Sequence, residues 1–406
     1  MAIYSADKNI QPTNWNNKIK LVSHGGDISS ALHGLGWNWV LEDECSNYLP
    51  GEAVVLPQAQ ADDLLRAADE LYEMMVGAVP DDLPDDFLRQ LAIPENLWGL
   101  VRHSWNDDRH WHLYGRFDLA QTAEGPKLIE FNADTATGIP ETAVVQWASL
   151  AAAGKNDASQ VSGLYEALVA QFQRWLEKNN DLEPALLITY IGASAEDYTN
   201  CEVLAQAAQE AGFNTHLCAI EEVTFTAFGE DRGIWAQTST DEWQRFSFVY
   251  KLLPWEQLAW EEPELIKDLD ILLRTRNVVI ANPAYTLILQ SKGMLAWLWQ
   301  NFPYHPLLLE TSFGRLGGHY VTKPFYGREG QNVEVIQSGE SVIRTEGEFA
   351  DQPKIYQRYC NFPKDEAGNL YQTGVFWAGE GCAIGYRRAP GIINNTSQFL
   401  AHLLEE

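Results

Sequence analysis

Tyr114-Gly115-Arg116-Phe117-Asp118-Leu119, followed by Lys127-Leu128-Ile129-Glu130-Phe131-Asn132-Ala133-Asp134-Thr135-Ala136-Thr137-Gly138, is the stretch on which the reading of this chain turns. The first run alternates polar and apolar residues, and so does Leu128 to Asn132. A period of two marks a strand with two unlike faces. Ala120-Gln121-Thr122-Ala123-Glu124-Gly125-Pro126 lies between them and carries Glu-Gly-Pro turn chemistry. A hairpin is expected, with Arg116 and Asp118 on one face of its first strand and Glu130 and Asn132 on one face of its second. If those faces coincide, two carboxylates, an amide oxygen and a guanidinium converge, ahead of a loop of small residues and two hydroxyls. Mg²⁺ is usually held by one or two carboxylates together with phosphate oxygens. A guanidinium matches phosphate geometry and can offset charge on a transferring phosphoryl group. The same spacing also describes the solvated face of an ordinary antiparallel hairpin.

Tyr-Gly-Arg-Phe-Asp-Leu followed by Glu-Phe-Asn-Ala-Asp-Thr-Ala-Thr resembles the signature of the glutathionylspermidine synthetase family, including its short bacterial acid–amine ligase-like members without the amidase domain. The resemblance runs from Trp37 to Ile393. It implies an α/β (α+β) chain: a circularly permuted ATP-grasp fold with a parallel α/β subdomain of the pre-ATP-grasp type. It implies an ATP-dependent C–N ligase that activates a carboxylate as an acyl phosphate and passes it to an amine. On this likeness Arg116 stabilises the developing charge, and Asp118, Glu130 and Asn132 hold Mg²⁺. ATP contacts fall on Arg116, Phe117, Asp118, Lys292, Lys323, Gly330, Gln357, Ile392, Ile393 and Asn394. Thr135, Thr137, Glu196, Asp197 and Arg387 face the substrates, with the register between Arg387 and Arg388 left open. ATP and Mg²⁺ are the cofactors. The partners are a small acid, such as glutathione or a small peptide, and an amine, such as a polyamine. Threonine stands at 135 and 137 where the family often has serine, so the acid stays unnamed. The hairpin precedes Lys292 and Lys323, which is the permuted order. Two rivals stay open: a non-catalytic homologue that binds nucleotide or peptide, and a ligase that uses an amino acid in place of a polyamine.

The rest of the chain is consistent with an enzyme of several subdomains. It has 406 residues, 46% hydrophobic and 21% charged, a globular rather than a disordered balance. A net charge of −28 argues against nucleic acid and anionic membranes, which require basic patches. It is compatible with a cationic substrate, and equally with an acidic surface for solubility. Cys45, Cys201, Cys218, Cys360 and Cys382 are scattered without CxxC spacing, as expected of reduced thiols in a cytoplasmic protein. Neither an export signal nor a membrane span is visible.

Four segments are expected: a polar arm over 1–35, helices and the hairpin over 36–180, a parallel α/β subdomain over 181–285, and a nucleotide-binding subdomain over 286–406. The arm includes His24-Gly25-Gly26-Asp27, and the folded body begins at Trp37-Asn38-Trp39 with Glu42, Asp43 and Glu44. Helices are expected over Gln60–Val76, Pro140–Ala153, Ser162–Lys178 and Pro263–Leu273, with a short one around Asp85–Leu91. Ala185–Tyr190, Cys201–Ala211 and Phe213–Ala219 read as strand, helix and strand. The linking Glu196-Asp197 pair fits either a substrate contact or the first turn of a helix. Phe246–Leu253 reads as a strand in which Lys251 breaks an apolar run, and Val278–Pro283 as another. A further strand should deliver Lys292 to a helix start. Tyr320–Lys323 and Ile355–Arg358 are strands, the first followed by a glycine loop. Gly374–Ala378 and Gly385–Arg388 close the fold. Residues 331–352, polar and rich in Gly, Ser and Glu, should form a mobile lid.

Overall fold

The computed structural model describes residues 48–405 apart from 156–158, 193 and 239–241, together with 13, 15, 18–23 and 28–37. The expectations for His24–Asp27 and for residues 38–47 lie outside that set.

The hairpin forms from Gly115–Thr122 and Gly125–Asn132, which pair antiparallel with Arg116 opposite Asn132 and Asp118 opposite Glu130. The turn is tighter than expected. Most of Ala120–Pro126 belongs to the strands, and only Ala123 and Glu124 turn the chain. Gly125 takes φ +107°, and Thr122 Oγ1 donates to its carbonyl at 2.8 Å. A bulge between Asp118 and Leu119 places Ile129 as the extra residue.

This hairpin ends a seven-stranded sheet. Its order is Leu21–Ser23, Glu52–Pro57, Gln398–Glu405, Gly381–Ala389, Leu370–Trp377, Gly115–Thr122 and Gly125–Asn132. The neighbours are antiparallel except Gln398–Glu405 with Glu52–Pro57. Helix Gln58–Ala78 packs on the sheet through Leu64, Ala67, Ala68, Leu71 and Met75, all buried. A second sheet has five antiparallel strands: Thr311–Ser312, Lys354–Arg358, His319–Pro324, Glu334–Gln337 and Glu340–Arg344. The third sheet is parallel, in the order Val279–Ala281, Phe248–Lys251, Ala185–Tyr190 and Asn214–Ala219. Its central strands are apolar runs because both faces are buried, Leu186 and Ile188 in one hydrophobic cluster and Leu187 and Val249 in another. A small antiparallel sheet of Val223–Thr226, Gly233–Gln237 and Trp243–Phe246 is appended.

Several local expectations are corrected. Within the expected polar arm, Leu21–Ser23 is an edge strand and Ser29–Leu35 a helix whose Leu32 is buried. Helix Ala195–Glu210 starts before Cys201 because Ser194 caps it, its Oγ accepting from the Asp197 N–H at 3.1 Å. Phe246–Leu253 is divided at Ser247 between two sheets. Residues Thr286–Gln290, before Lys292, are helical rather than extended. The expected lid is a two-stranded hairpin at the edge of the five-stranded sheet, and its outer strand Glu340–Arg344 is exposed throughout. No described helix is long and apolar enough to cross a membrane. Cys201, Cys218, Cys360 and Cys382 are free thiols.

Candidate active site

The two predicted faces of the hairpin coincide. Arg116 holds Asp118 with two bonds, Nε to Oδ1 at 2.7 Å and Nη2 to Oδ2 at 3.1 Å, and Asn132 Nδ2 donates to the same Oδ2 at 3.1 Å. Gly374 on the neighbouring strand makes room for Arg116, since a Cβ there would lie 3.1 Å from its Cδ. Glu130, opposite Asp118, meets Lys292 Nζ at 3.0 Å. Lys292 stands at a corner between helices Thr286–Gln290 and Gly293–Asn301, and also donates to the Gly327 carbonyl at 2.6 Å. Lys323 arrives from strand His319–Pro324. Its Nζ donates to Gln357 Oε1 at 2.8 Å and to the carbonyl of the bulge residue Ile129 at 3.2 Å.

Charge is distributed unevenly over this cluster. Burial alone would raise the Glu130 carboxyl, but Lys292 and then Lys323 pull it down to about 2. Burial brings the Lys323 ammonium down to about 8, with Glu130 opposing and Lys292 assisting. Asp118 is raised by burial, Arg116 opposes this, and Glu130 adds to it. Two carboxylates face one another across the ladder, and one is disfavoured as an anion by both burial and its neighbour. A divalent cation relieves that arrangement, and the donors are the hard oxygens Mg²⁺ takes.

A cavity of about 330 Å³ opens between the hairpin sheet and the five-stranded sheet. Glu130, Lys292, Lys323 and Gln357 form a polar end, while side chains such as Val321, Ile343, Leu370 and Ile392 make much of the rest apolar. A slot of this size, with cations at one end, suits a flat base and its phosphates. Gly330 closes one wall at φ +67°. A Cβ there would lie 2.7 Å from Ile392 Cγ2 and from the Ile393 carbonyl, so glycine is required for the loop to meet that segment.

A second cluster continues from the hairpin. Arg116 Nη1 donates to the Thr137 carbonyl at 2.6 Å, and Thr135 and Thr137 are half-buried in that loop. Gly138, at φ +87°, fits between Arg116 and Glu141: a Cβ would lie 3.6 Å from Arg116 Nη1 and 4.0 Å from Glu141 Oε2. Tyr48 donates to Glu141 Oε1, and the Arg387 guanidinium lies over the Tyr48 ring at 5.4 Å. Arg387 also donates to the Asn394 and Asn395 carbonyls at 3.0 and 2.8 Å. Glu141 Oε2 and Arg387 Nε are buried without hydrogen-bond partners among the described residues, as expected of groups that face a ligand. Burial, then Glu141, push the Glu196 carboxyl up to about 7; Arg387 opposes, and Asp197 and Glu329 add.

The structure thus brings Glu130, Lys292, Lys323, Gly330, Gln357, Ile392 and Ile393 to the cavity, with Arg116, Asp118 and Asn132 beside it. Glu196 and Asp197 occupy the first turn of their helix and, with Arg387, approach Glu141 and Glu329. Arg388, the neighbouring arginine, turns to Glu52, Gln398 and Tyr371. Two expected ATP contacts fall elsewhere. The Phe117 side chain alternates onto the opposite face, fully buried and stacked on Phe131 at 3.9 Å. Asn394 is exposed, and its Oδ1 caps the local turn through Thr396 and Ser397.

The family model described as glutathionylspermidine synthase preATP-grasp matches residues 21–405. This chain belongs to the glutathionylspermidine synthase family. It is 29% identical over 361 residues to the bifunctional glutathionylspermidine synthetase/amidase of Escherichia coli, covering 82% of this chain but 56% of that protein. A provisionally named acid–amine ligase of Haemophilus influenzae is 27% identical over 358 residues, covering 85% of this chain and 87% of that protein. Among solved structures, a glutathione synthetase-like effector from Globodera pallida aligns with a TM-score of 0.53 at 10% identity, over 87% of this chain and 89% of that one. That likeness is one of fold, the glutathione synthetase-like ATP-grasp arrangement.

Sequence reasoning did not reach what anchors the loop after Asn132. Asp134 is fully buried, 3.0 Å from Lys251 Nζ, and accepts from the Trp255 N–H at 2.9 Å. Asn282 Nδ2 donates to the Asp134 carbonyl at 2.7 Å, and Gln290 Oε1 accepts from the Ala133 N–H at 2.7 Å. The signal available was the lone lysine in an apolar strand. Glu141 gave none, because after Pro140 it reads as an ordinary helix-start residue.

Proposed function

We propose that this chain is an ATP- and Mg²⁺-dependent acid–amine ligase that forms an amide through an acyl phosphate. The observation that carries this reading is the meeting of Asp118, Glu130 and Asn132 with Lys292 and Lys323 at the polar end of the cavity between two antiparallel sheets. Asp118, Glu130 and Asn132 would hold Mg²⁺. When bound, the ion would screen phosphate charge, and ATP would supply the phosphoryl group that makes a carboxylate reactive toward an amine. Lys292 and Lys323 then orient phosphate oxygens as point charges, and Arg116 meets charge developing at the transferred group. Arg387, with its unpartnered Nε, takes the acid's far end, and Thr135 and Thr137 offer hydroxyls along it. Gln357, which accepts from Lys323 at 2.8 Å, would stand where the phosphates meet the base, with its strand Lys354–Arg358 running beside the nucleotide.

The acidic wall of Glu141, Glu196, Asp197 and Glu329 favours a cationic amine over a neutral one. The relatives named for glutathionylspermidine synthesis point the same way, toward glutathione or a small peptide with a polyamine. Incubation with Mg-ATP, pooled small acids and pooled polyamines should give a product whose mass equals acid plus amine less water. Only a nucleotide-bound form, with no such product from any pool, would favour the non-catalytic reading.

The Glu196 carboxyl, raised to about 7, makes a pH prediction. Below that pH it is protonated and neutral; above it, the wall gains a negative charge. The KM for a polyamine should therefore fall as pH rises through about 7, and Glu196→Gln should remove that dependence while leaving the KM for ATP unchanged. Steady-state profiles of both proteins check this.

A further inference from the structure

Away from the nucleotide cavity, the stretch that leads into the hairpin carries an arrangement the ligase reading does not use. Helix Trp98–Asn106 presents His103 in its last turn, and the chain then turns through Asp107 to His110. The turn is closed by the His110 N–H, which donates to the Asp107 carbonyl at 3.0 Å, and by the Arg109 N–H, which donates to Asp107 Oδ1 at 3.2 Å. The turn brings one donor atom from each of His103, Asp107 and His110 within 4.8 Å of the others. The rings of His103 and His110 stand nearly perpendicular with centroids 5.3 Å apart.

Two observations separate this trio from a chance cluster. His103 Nε2 and His110 Nδ1 are both buried, and neither has a hydrogen-bond partner among the described residues. His110 is only 4% exposed, so bulk solvent does not reach its ring. Buried polar atoms are nearly always satisfied, and a pair of orphaned imidazole nitrogens beside a carboxylate asks for a shared electrophile. Among the described residues, Asp107 Oδ2 has a long contact, 3.8 Å, to the exposed Arg276 side chain, a pairing that contributes little.

We infer that His103, Asp107 and His110 bind a divalent metal ion of the borderline class, with Zn²⁺ the best fit. Two imidazoles and one carboxylate are a common zinc donor set, and Mg²⁺ is disfavoured because it takes oxygen rather than nitrogen. His103 and Asp107 line a groove with Arg102, Arg274 and Arg276, from which water or a small anion would complete a tetrahedron. The same groove separates helix Trp98–Asn106 from helix Pro263–Arg274, which touch where Arg274 Nη2 donates to the Gly99 carbonyl at 3.4 Å. A bound ion there ties the entry of the hairpin to the end of the helix that precedes it. This site is independent of the nucleotide cavity, and its test does not read ligase activity.

The test is Zn²⁺ titration of the chelator-stripped full chain, in excess Mg²⁺ so that the hard carboxylate face is occupied, with Co²⁺ as a spectroscopic substitute. The expected result is one Zn²⁺ per chain and a Co²⁺ spectrum without thiolate charge-transfer bands. A Zn²⁺-dependent rise in melting temperature should accompany binding. His103→Gln and Asp107→Asn, both at partly exposed positions, should weaken binding by more than about 100-fold, beyond what loss of an outer partner costs. His110→Gln should do the same; if that buried change unfolds the chain, the other two decide. No stoichiometric uptake would overturn the inference. So would uptake undiminished in both His103→Gln and Asp107→Asn, or thiolate bands that assign the ion to cysteines.

Discussion

Glu130→Gln is expected to lower ligase turnover by about two to three orders of magnitude, the scale seen when one group that stabilises transition-state charge is removed. The substitution keeps shape and removes a charge that attracts two neighbours and repels a third. Lys292 loses its partner at 3.0 Å, and Lys323 loses the attraction that opposes its desolvation. Asp118 loses a like charge and becomes a better anion, but it then faces a cation alone with Asn132. Mg²⁺ held by one carboxylate in place of two should bind more weakly, so added Mg²⁺ should restore part of the loss. The fold should not change, because Glu130 is on the open face and Gln fits its space. Steady-state ADP release across a Mg²⁺ series measures the effect. Turnover within tenfold of the parent protein would mean that this face is the solvated wall of a hairpin and nothing more.

Asp134→Ala should have the largest effect on stability, about 3–5 kcal/mol, the cost of leaving a buried charge without its partner. Lys251 is 4% exposed and sits in the parallel sheet. Burial pushes the Asp134 carboxyl up and the Lys251 ammonium down, and their mutual attraction opposes both shifts. Without Asp134, the ammonium keeps the Leu253 carbonyl at 2.9 Å and the face of Trp255, with its ring centroid 4.3 Å away. The Trp255 N–H loses its acceptor as well. Thermal unfolding of Asp134→Ala should show a clear drop in midpoint. Adding Lys251→Met should recover much of it, because an apolar pair replaces an uncompensated charge. Equal midpoints for Asp134→Ala and the parent would contradict the assignment of this pair as the anchor of the 133–138 loop.

Much of the hairpin sheet was legible, and the reasons are local. Arg116, Asp118, Glu130 and Asn132 lie on a period-two pattern that no helix can satisfy, so their common face follows from spacing once the strands pair. Ala185–Tyr190 was legible because a strand covered on both faces must be apolar throughout. What was hidden depends on partners distant in sequence. Residues Thr286–Gln290 form a short helix buried on all sides, and an apolar run of that length carries no period to tell it from a strand. Leu21–Ser23 is a strand because Glu52–Pro57 offers it an edge. Tyr48 and Glu141 are 93 residues apart, Arg387 is farther still, and the three meet only through the fold, so no motif marks them. Phe117 shows the reverse: a residue inside a strong motif whose side chain serves the core, because the pleat sends it away from its neighbours Arg116 and Asp118.

The account stands most directly on ADP release from Mg-ATP, measured with pooled small acids and pooled amines given separately and together, with Arg116→Ala alongside. It predicts sustained ADP release only when acid and amine are both present, and loss of that release in Arg116→Ala. ADP release that ignores both pools, or its absence with every acid–amine combination despite measurable Mg-ATP binding, would contradict it.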